Sequence, residues 1–370
     1  MRFVSKSVVI GFVNALAILI FMAQLPELLH MPTMVYVFVT LGLAIIYLFP
    51  YVPKIGKLLP SPLVCIVVIT LLAVVFGVDI RTVGDMGQLP NQLPVFLIPQ
   101  IPFNFDTLAI ITPYAFAMAF VGLLESMMTA TIIDEMTETT SNKHQECIGQ
   151  GIANITTGFL GGMAGCAMIG QSMINIKSGG RGRLSTCFAG VFLLILVVFI
   201  SDWLRVIPMA ALVAVMIMVC IGTFNWQSVL NFHKNPKTSN MVMLATVTVV
   251  VATHNLALGV LTGVLLSAVF FIHKVEKTVN VTLTSQNNRH TYKITGPLFF
   301  SSAQKTNLTL HDHIKFFYLD LTDTYVWDIT SIEVLDRFLE KAQALNISYE
   351  IQGLSQENID FIKQYSRFIS

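Results

Sequence analysis

The sequence predicts an α-helical polytopic membrane protein followed by a small α/β domain, and three observations carry that expectation. Of 370 residues, 54% are hydrophobic and only 12% charged, and mean hydropathy is +0.72. That is about half the charged share of an ordinary soluble domain. Apolar stretches of spanning length recur along most of the chain. The charge collects at the end: Asp, Glu, Lys and Arg make up 20% of residues 281–370 and 9% of residues 1–280. The expected division is a transmembrane region at 1–275 and a terminal domain at 276–370. A net charge of +1 without a clustered basic face excludes a nucleic-acid partner. The shortage of charge excludes an ordinary cytosolic enzyme.

A spanning helix takes about 20 apolar residues. Residues 7–26, 31–53, 58–78, 107–133, 184–201 and 206–224 each hold one span. The stretch 238–272 is 35 residues long, and one helix of that length would reach about 52 Å. It must fold back, and His254-Asn255 marks the turn. Residues 147–176 are interrupted by Gly158, Gly161, Gly162 and Gly165, which predicts two short segments instead of one long helix. The total is about ten segments, so both termini lie on one side. With that side cytoplasmic, the inner connections collect Arg2, Lys6, Lys54, Lys57, Lys177, Arg181, Arg183, Lys234 and Lys237, and the outer ones hold Arg81 and Arg205. Residues 79–106, with Pro90, Pro94, Pro99 and Pro102, read as an extended outer arm without chemistry.

After Lys277 the texture becomes β-rich, with strands expected at 279–285, 290–294, 297–301, 316–320 and 348–352. Residues 331–345 carry apolar positions at 3–4 spacing and read as a helix, with Thr330 or Ser331 as N-cap and Asn346 at its end. This is a binding or regulatory module: it has no P-loop, no dinucleotide fingerprint and no catalytic cluster.

Two features of the membrane region bear chemistry. Glu125, in Gly122-Leu-Leu-Glu-Ser-Met-Met-Thr129, is the one acid within a predicted span. Such acids are costly and mark ion or proton pathways. Thr129 lies four residues on, so carboxylate and hydroxyl share a helix face, with Ser126 beside them. They suit a hard cation such as Na⁺, or the carboxylate carries a proton. The other feature is Gly161-Gly-Met-Ala-Gly-Cys-Ala-Met-Ile-Gly-Gln171, followed by a short apolar helix. A half-helix beginning at membrane depth aims free N–H groups and a positive dipole end inward, which favours an anion; the same glycines also suit plain helix packing.

Several motifs together resemble the SulP family of anion transporters. They are Leu124-Glu-Ser-Met-Met-Thr129, Asn142-Lys-His-Gln-Glu146, Gly149-Gln-Gly-Ile-Ala-Asn154, Gly161-Gly-Met-Ala-Gly165, Asn175-Ile-Lys-Ser-Gly-Gly-Arg181 and Ile207-Pro-Met-Ala-Ala211. Phe317-Tyr-Leu-Asp-Leu321 and Asp328-Ile-Thr-Ser331 resemble the STAS domain that follows the membrane region in that family. The resemblance implies a UraA-like fold of two inverted seven-segment repeats, divided into a mobile core and a gate. The segments here correspond to the second part of that fold, its fifth to fourteenth, so the first four are expected to be missing.

The resemblance further implies secondary transport of bicarbonate, sulfate or another small anion, coupled to Na⁺ or H⁺, by an elevator-like stroke. It places a coupling Na⁺ at Glu125 and Thr129, and the anion at the half-helix start, Gly165, Cys166, Ala167, Met168 and Ile169. Glu125 stands where many members have Asp, and Ile169 where Thr is expected. It also implies a homodimer in a bacterial plasma membrane, no bound cofactor other than Na⁺, and a protein partner at the STAS domain. Thr330 or Ser331 stands where related domains are phosphorylated, but a plain N-cap is the preferred reading of them. The competing expectation is a truncated or split membrane scaffold that does not transport and whose STAS domain binds partners.

Overall fold

The computed structural model describes residues 4–53, 56, 59–87, 93–102, 104–286, 289–304, 306, 308–310, 314–354 and 356–368. Arg2, Lys54, Lys57 and Pro90 fall outside them. Contacts divide the chain into two compact units, Met1–Val264 and Leu265–Ser370.

The first unit is helical: α1 (Lys6–Gln24), α2 (Thr33–Leu48), α3 (Ser61–Phe76), α4 (Val83–Met86), α5 (Phe105–Thr137), α6 (Lys143–Phe159), α7 (Ile169–Lys177), α8 (Arg183–Phe199), α9 (Ser201–Arg205), α10 (Met209–Thr223), α11 (Trp226–Leu230) and α12 (Lys237–Thr253). A last helix, α13 (Leu256–Glu276), begins here and ends in the second unit. Among the described residues, Lys6–Glu27, Thr33–Tyr51, Phe105–Thr137 and Leu256–Glu276 are long and apolar enough to cross a membrane, while α3, α8, α10 and α12 are shorter apolar helices. The fold-back expected at His254 occurs there, with His254 in the left-handed region at φ 52° between α12 and α13. The break within 147–176 also occurs, between α6 and α7. However, α6 starts earlier than the apolar run, because Asn142 caps it by accepting the N–H groups of His144 and Gln145. The arm at 79–106 is not wholly extended: Thr82 and Asp85 form a capping box that winds α4.

Small residues draw α1, α2, α3, α10 and α12 into one bundle. A Cβ on Gly11 would stand 2.9 Å from the Thr246 Cβ, and one on Gly42 would stand 2.9 Å from the Ala214 Cβ and 3.1 Å from the Cys65 Sγ. In lipid, association rests on such close packing, since apolar surface alone gives no preference for a neighbouring helix over an acyl chain. Phe38, Cys65, Ile69, Ala211 and Val213 fill the seam between α2, α3 and α10. Asn14, buried on α1, donates to the Ser228 Oγ at 2.9 Å and accepts the Asn225 N–H at 2.8 Å, so this polar group at depth is satisfied.

The second unit is a mixed four-stranded sheet of β1 (Asn280–Gln286), β2 (Arg289–Leu298), β3 (Phe316–Val326) and β4 (Ser348–Gln352), in the order β1-β2-β3-β4. β1 and β2 are antiparallel; β2–β3 and β3–β4 are parallel. Helices α14 (Phe300–Ala303), α15 (Ile329–Ala344) and α16 (Gln356–Tyr365) complete it. Ile294, Leu298, Phe317, Leu319 and Leu321 on the sheet pack against Ile332, Leu335, Phe338 and Leu339 of α15. This mixed sheet with its helices fits the STAS-type domain that the resemblance implied.

Three expectations for this unit need correction. The strands at 290–294 and 297–301 are one strand that stops at Leu298, and Phe300–Ala303 is a helical turn. β1 pairs only as far as Thr295, so Pro297 lies where β2 lacks a partner on that side and its missing N–H costs no ladder bond. The α15 N-cap is Asp328, ahead of Thr330 and Ser331: its carboxylate accepts the Ser331 N–H at 2.9 Å and the Ser331 hydroxyl at 2.7 Å. Helix α16 carries Ile362 into the core from a stretch assigned no structure from the sequence.

Candidate functional site

Helix α5 buries a single run, Leu124 to Thr129. Within it Glu125 is 8% exposed, Ser126 0% and Thr129 3%. An acid so placed at membrane depth needs partners, and these come from the broken stretch between α6 and α7.

The chain leaves α6 through Gly161, at φ 75°, and Gly162, where a Cβ would stand 2.5 Å from the Thr157 Cγ2. Glycine is therefore required at both turns. The segment then runs past α5 without regular structure, and side chains hold its backbone. Asn154 of α6 grips Gly165 twice, accepting its N–H at 2.7 Å and donating to its carbonyl at 3.0 Å. Ser126 accepts the Ala167 N–H at 3.1 Å, and Thr129 donates to the Ala167 carbonyl at 2.7 Å. Between these clasps the Cys166 thiol donates to the Glu125 Oε2 at 3.0 Å. Gly122, one turn before Ser126, leaves room for Cys166, whose Cβ would lie 3.6 Å from a Cβ placed there.

Met168 then caps α7 in extended conformation with no side-chain cap, so the helix's opening N–H groups are not taken by a capping side chain. A cavity of about 680 Å³ borders this place and is lined by Gly122, Gln150, Asn154, Gly165, Cys166 and Leu256, among others.

Of the residues expected to act, the structure joins Glu125, Ser126 and Thr129 directly to Cys166 and Ala167, with Gly165 held alongside by Asn154. Met168 and Ile169 form the α7 start and make none of these side-chain clasps. Chemically, a carboxylate, two hydroxyls and a carbonyl oxygen are hard donors suited to a small cation, and the uncapped helix start suits an anion. Asn154 was missed as a site residue in the sequence reading; its signal was an amide inside an apolar stretch. Thr330 and Ser331 lie in the second unit, where Ser331 is fully buried against the Asp328 carboxylate.

An apolar bundle with a helix broken at depth, its free start stitched beside a buried acid, defines the broken-helix class of polytopic membrane proteins. Comparison with known proteins gives the family. Residues 30–247 match the sulfate permease family. The Bacillus subtilis (strain 168) protein named "Putative sulfate transporter YbaR" is 51% identical over 98% of this chain and 76% of its own. Among solved structures, SLC26A9 aligns with a TM-score of 0.80 at 13% identity, over 98% of this chain and 67% of that one. The transmembrane domain of the cyanobacterial bicarbonate transporter BicA aligns with a TM-score of 0.56 at 24% identity, over 71% of this chain and 68% of its own. The chain belongs to the sulfate permease family, and it spans about three quarters of the length of the Bacillus relative and about two thirds of each of these structures.

Proposed function

We propose that this protein is a secondary active transporter of an inorganic or small organic anion, bicarbonate or sulfate first, coupled to Na⁺ or H⁺. The observation that carries the reading is the join of Glu125, Ser126 and Thr129 to the Cys166–Ala167 backbone that opens α7. Membership of the sulfate permease family, with relatives named as sulfate and bicarbonate transporters, supports the substrate class.

In this reading the anion sits at the start of α7, near Gly165 to Ile169, and the coupling ion sits at Glu125 with Thr129. An ionised Glu125 with no counter-ion repels an incoming anion, whereas a bound Na⁺ or proton removes that repulsion. Cation and anion therefore bind together. Because Ser126 and Thr129 hold Ala167, loading the cation site also fixes the α7 start, and α5 to α7 move as one body in an elevator-like stroke past the bundle of α1, α2, α3, α10 and α12. The protein works as a homodimer in a bacterial plasma membrane with both ends in the cytoplasm, its terminal domain open to a protein partner.

The test is uptake of labelled bicarbonate and sulfate into proteoliposomes under imposed sodium or proton gradients. Glu125→Gln removes the gradient dependence in this reading. Retained sodium and pH dependence in that variant overturns the role of Glu125, and uptake equal to that of empty vesicles refutes transport by this chain alone.

A further inference from the structure

The terminal domain carries an exposed apolar cluster at one end of its sheet. Phe300, Tyr325, Trp327 and Ile329 are each half or more exposed. Phe300 and Trp327 are held together: the Phe299 ring lies 5.4 Å from that of Phe300 and 5.8 Å from that of Trp327. The Phe300 N–H donates to Asp328 at 2.6 Å, and the Trp327 N–H donates to the Leu298 carbonyl at 2.9 Å. A soluble domain gains nothing from two large aromatics and an isoleucine grouped in water around a tyrosine.

Strand register fixes where this cluster lies. β1 starts at Asn280, opposite Thr295 near the end of β2, and Pro297 pairs with Tyr325. The cluster therefore occupies the sheet end at which α13 delivers the chain. The connection is short and packed. A Cβ on Gly296 would stand 2.9 Å from the Thr278 carbonyl oxygen, and Ser301 donates to the Glu276 carboxylate at 2.9 Å. α13 has 21 residues, a length of about 32 Å against a hydrocarbon core of ~30 Å, so Glu276 falls at the edge of the core. Lys274 and Lys277 are exposed around that edge and carry charge complementary to lipid phosphates. Tryptophan and tyrosine concentrate at this depth, where the ring is out of water and the polar atom remains hydrated.

We propose that Phe300, Tyr325, Trp327 and Ile329 form a lipid-docking surface that seats the terminal domain in the headgroup layer of the membrane crossed by α13.

The experiment uses the full chain in vesicles of phosphatidylethanolamine and phosphatidylglycerol. The difference in emission between wild type and Trp327→Phe isolates Trp327 from Trp203 and Trp226. With lipids brominated on the upper acyl chain, that difference signal loses about half its intensity, as expected for a ring seated roughly 5–10 Å into the interface, and aqueous iodide leaves it unchanged. Quenching by iodide and not by bromolipid places Trp327 in water and overturns the proposal. Quenching by neither places it under protein and overturns it equally. Ile329→Trp in the Trp327→Phe background gives the same bromolipid pattern from a second position; an iodide-quenched Trp there counts against the surface.

Discussion

Asn154→Leu removes the side chain that grips Gly165 while keeping its approximate size. Two hydrogen bonds vanish, at 2.7 Å and 3.0 Å. Gly165 is exposed to the neighbouring cavity, so its backbone groups can turn to water, and each bond is worth its net value of about 0.5–1.5 kcal/mol. The loss is about 1–3 kcal/mol, a roughly 5- to 150-fold shift toward conformations in which the segment leaves α5. The Cys166 thiol, held at the Glu125 carboxylate and half-buried, reports this departure. The assay is alkylation of Cys166 by a small maleimide, resolved from the other four cysteines by peptide mass spectrometry. The rate should rise within that range. An unchanged rate in folded Asn154→Leu protein would show that Ser126 and Thr129 alone hold the segment, and the reasoning about Asn154 fails. The outcome is independent of which anion, if any, is carried.

Two further substitutions test the packing of each unit. Gly42→Ala puts a methyl 2.9 Å from the Ala214 Cβ and 3.1 Å from the Cys65 Sγ, and should cost about 1–3 kcal/mol, read as a lowered melting temperature in detergent. Gly190→Ala on α8, where nothing stands within 4 Å, is the control and should be neutral or stabilising; equal losses in both would show that steric contact does not govern the first. Asp328→Ala leaves Ser331 and Phe300 without their acceptor and should destabilise the terminal domain by about 1–2 kcal/mol in urea unfolding followed by Trp327 emission. Asp328→Asn keeps an acceptor oxygen and should lose less; identical losses would mean that charge, and not capping, is what Asp328 supplies.

Local information in the chain was enough for much of this protein. Apolar run length and the uneven charge specified a helical membrane region with a small α/β tail, because a bilayer imposes a minimum length and removes charge. Glycine clustering marked the break between α6 and α7, although the same residue also serves helix packing, and Gly158 lies inside α6. The fourfold spacing of Glu125 and Thr129 placed them on one face because helical geometry is periodic.

What faces that pair was decided in three dimensions. Asn154 meets Gly165 across 11 residues, Thr129 meets Ala167 across 38, and Glu125 meets Cys166 across 41. No periodicity links positions joined through an irregular segment. The same limit applies in the tail. Asp328, Thr330 and Ser331 are all capping residue types, and the cap falls to Asp328 because its extended backbone aims the carboxylate at the Ser331 N–H. Pro297 read as the start of a new strand, yet it lies inside β2, because β1 begins only opposite Thr295 and leaves that side of Pro297 without a partner. Run length and composition thus determined the apolar helices and the stretches that must lie in lipid, while the pairing of polar groups at depth waited on tertiary structure, because each buried donor pairs with whichever acceptor the packed chain brings within reach.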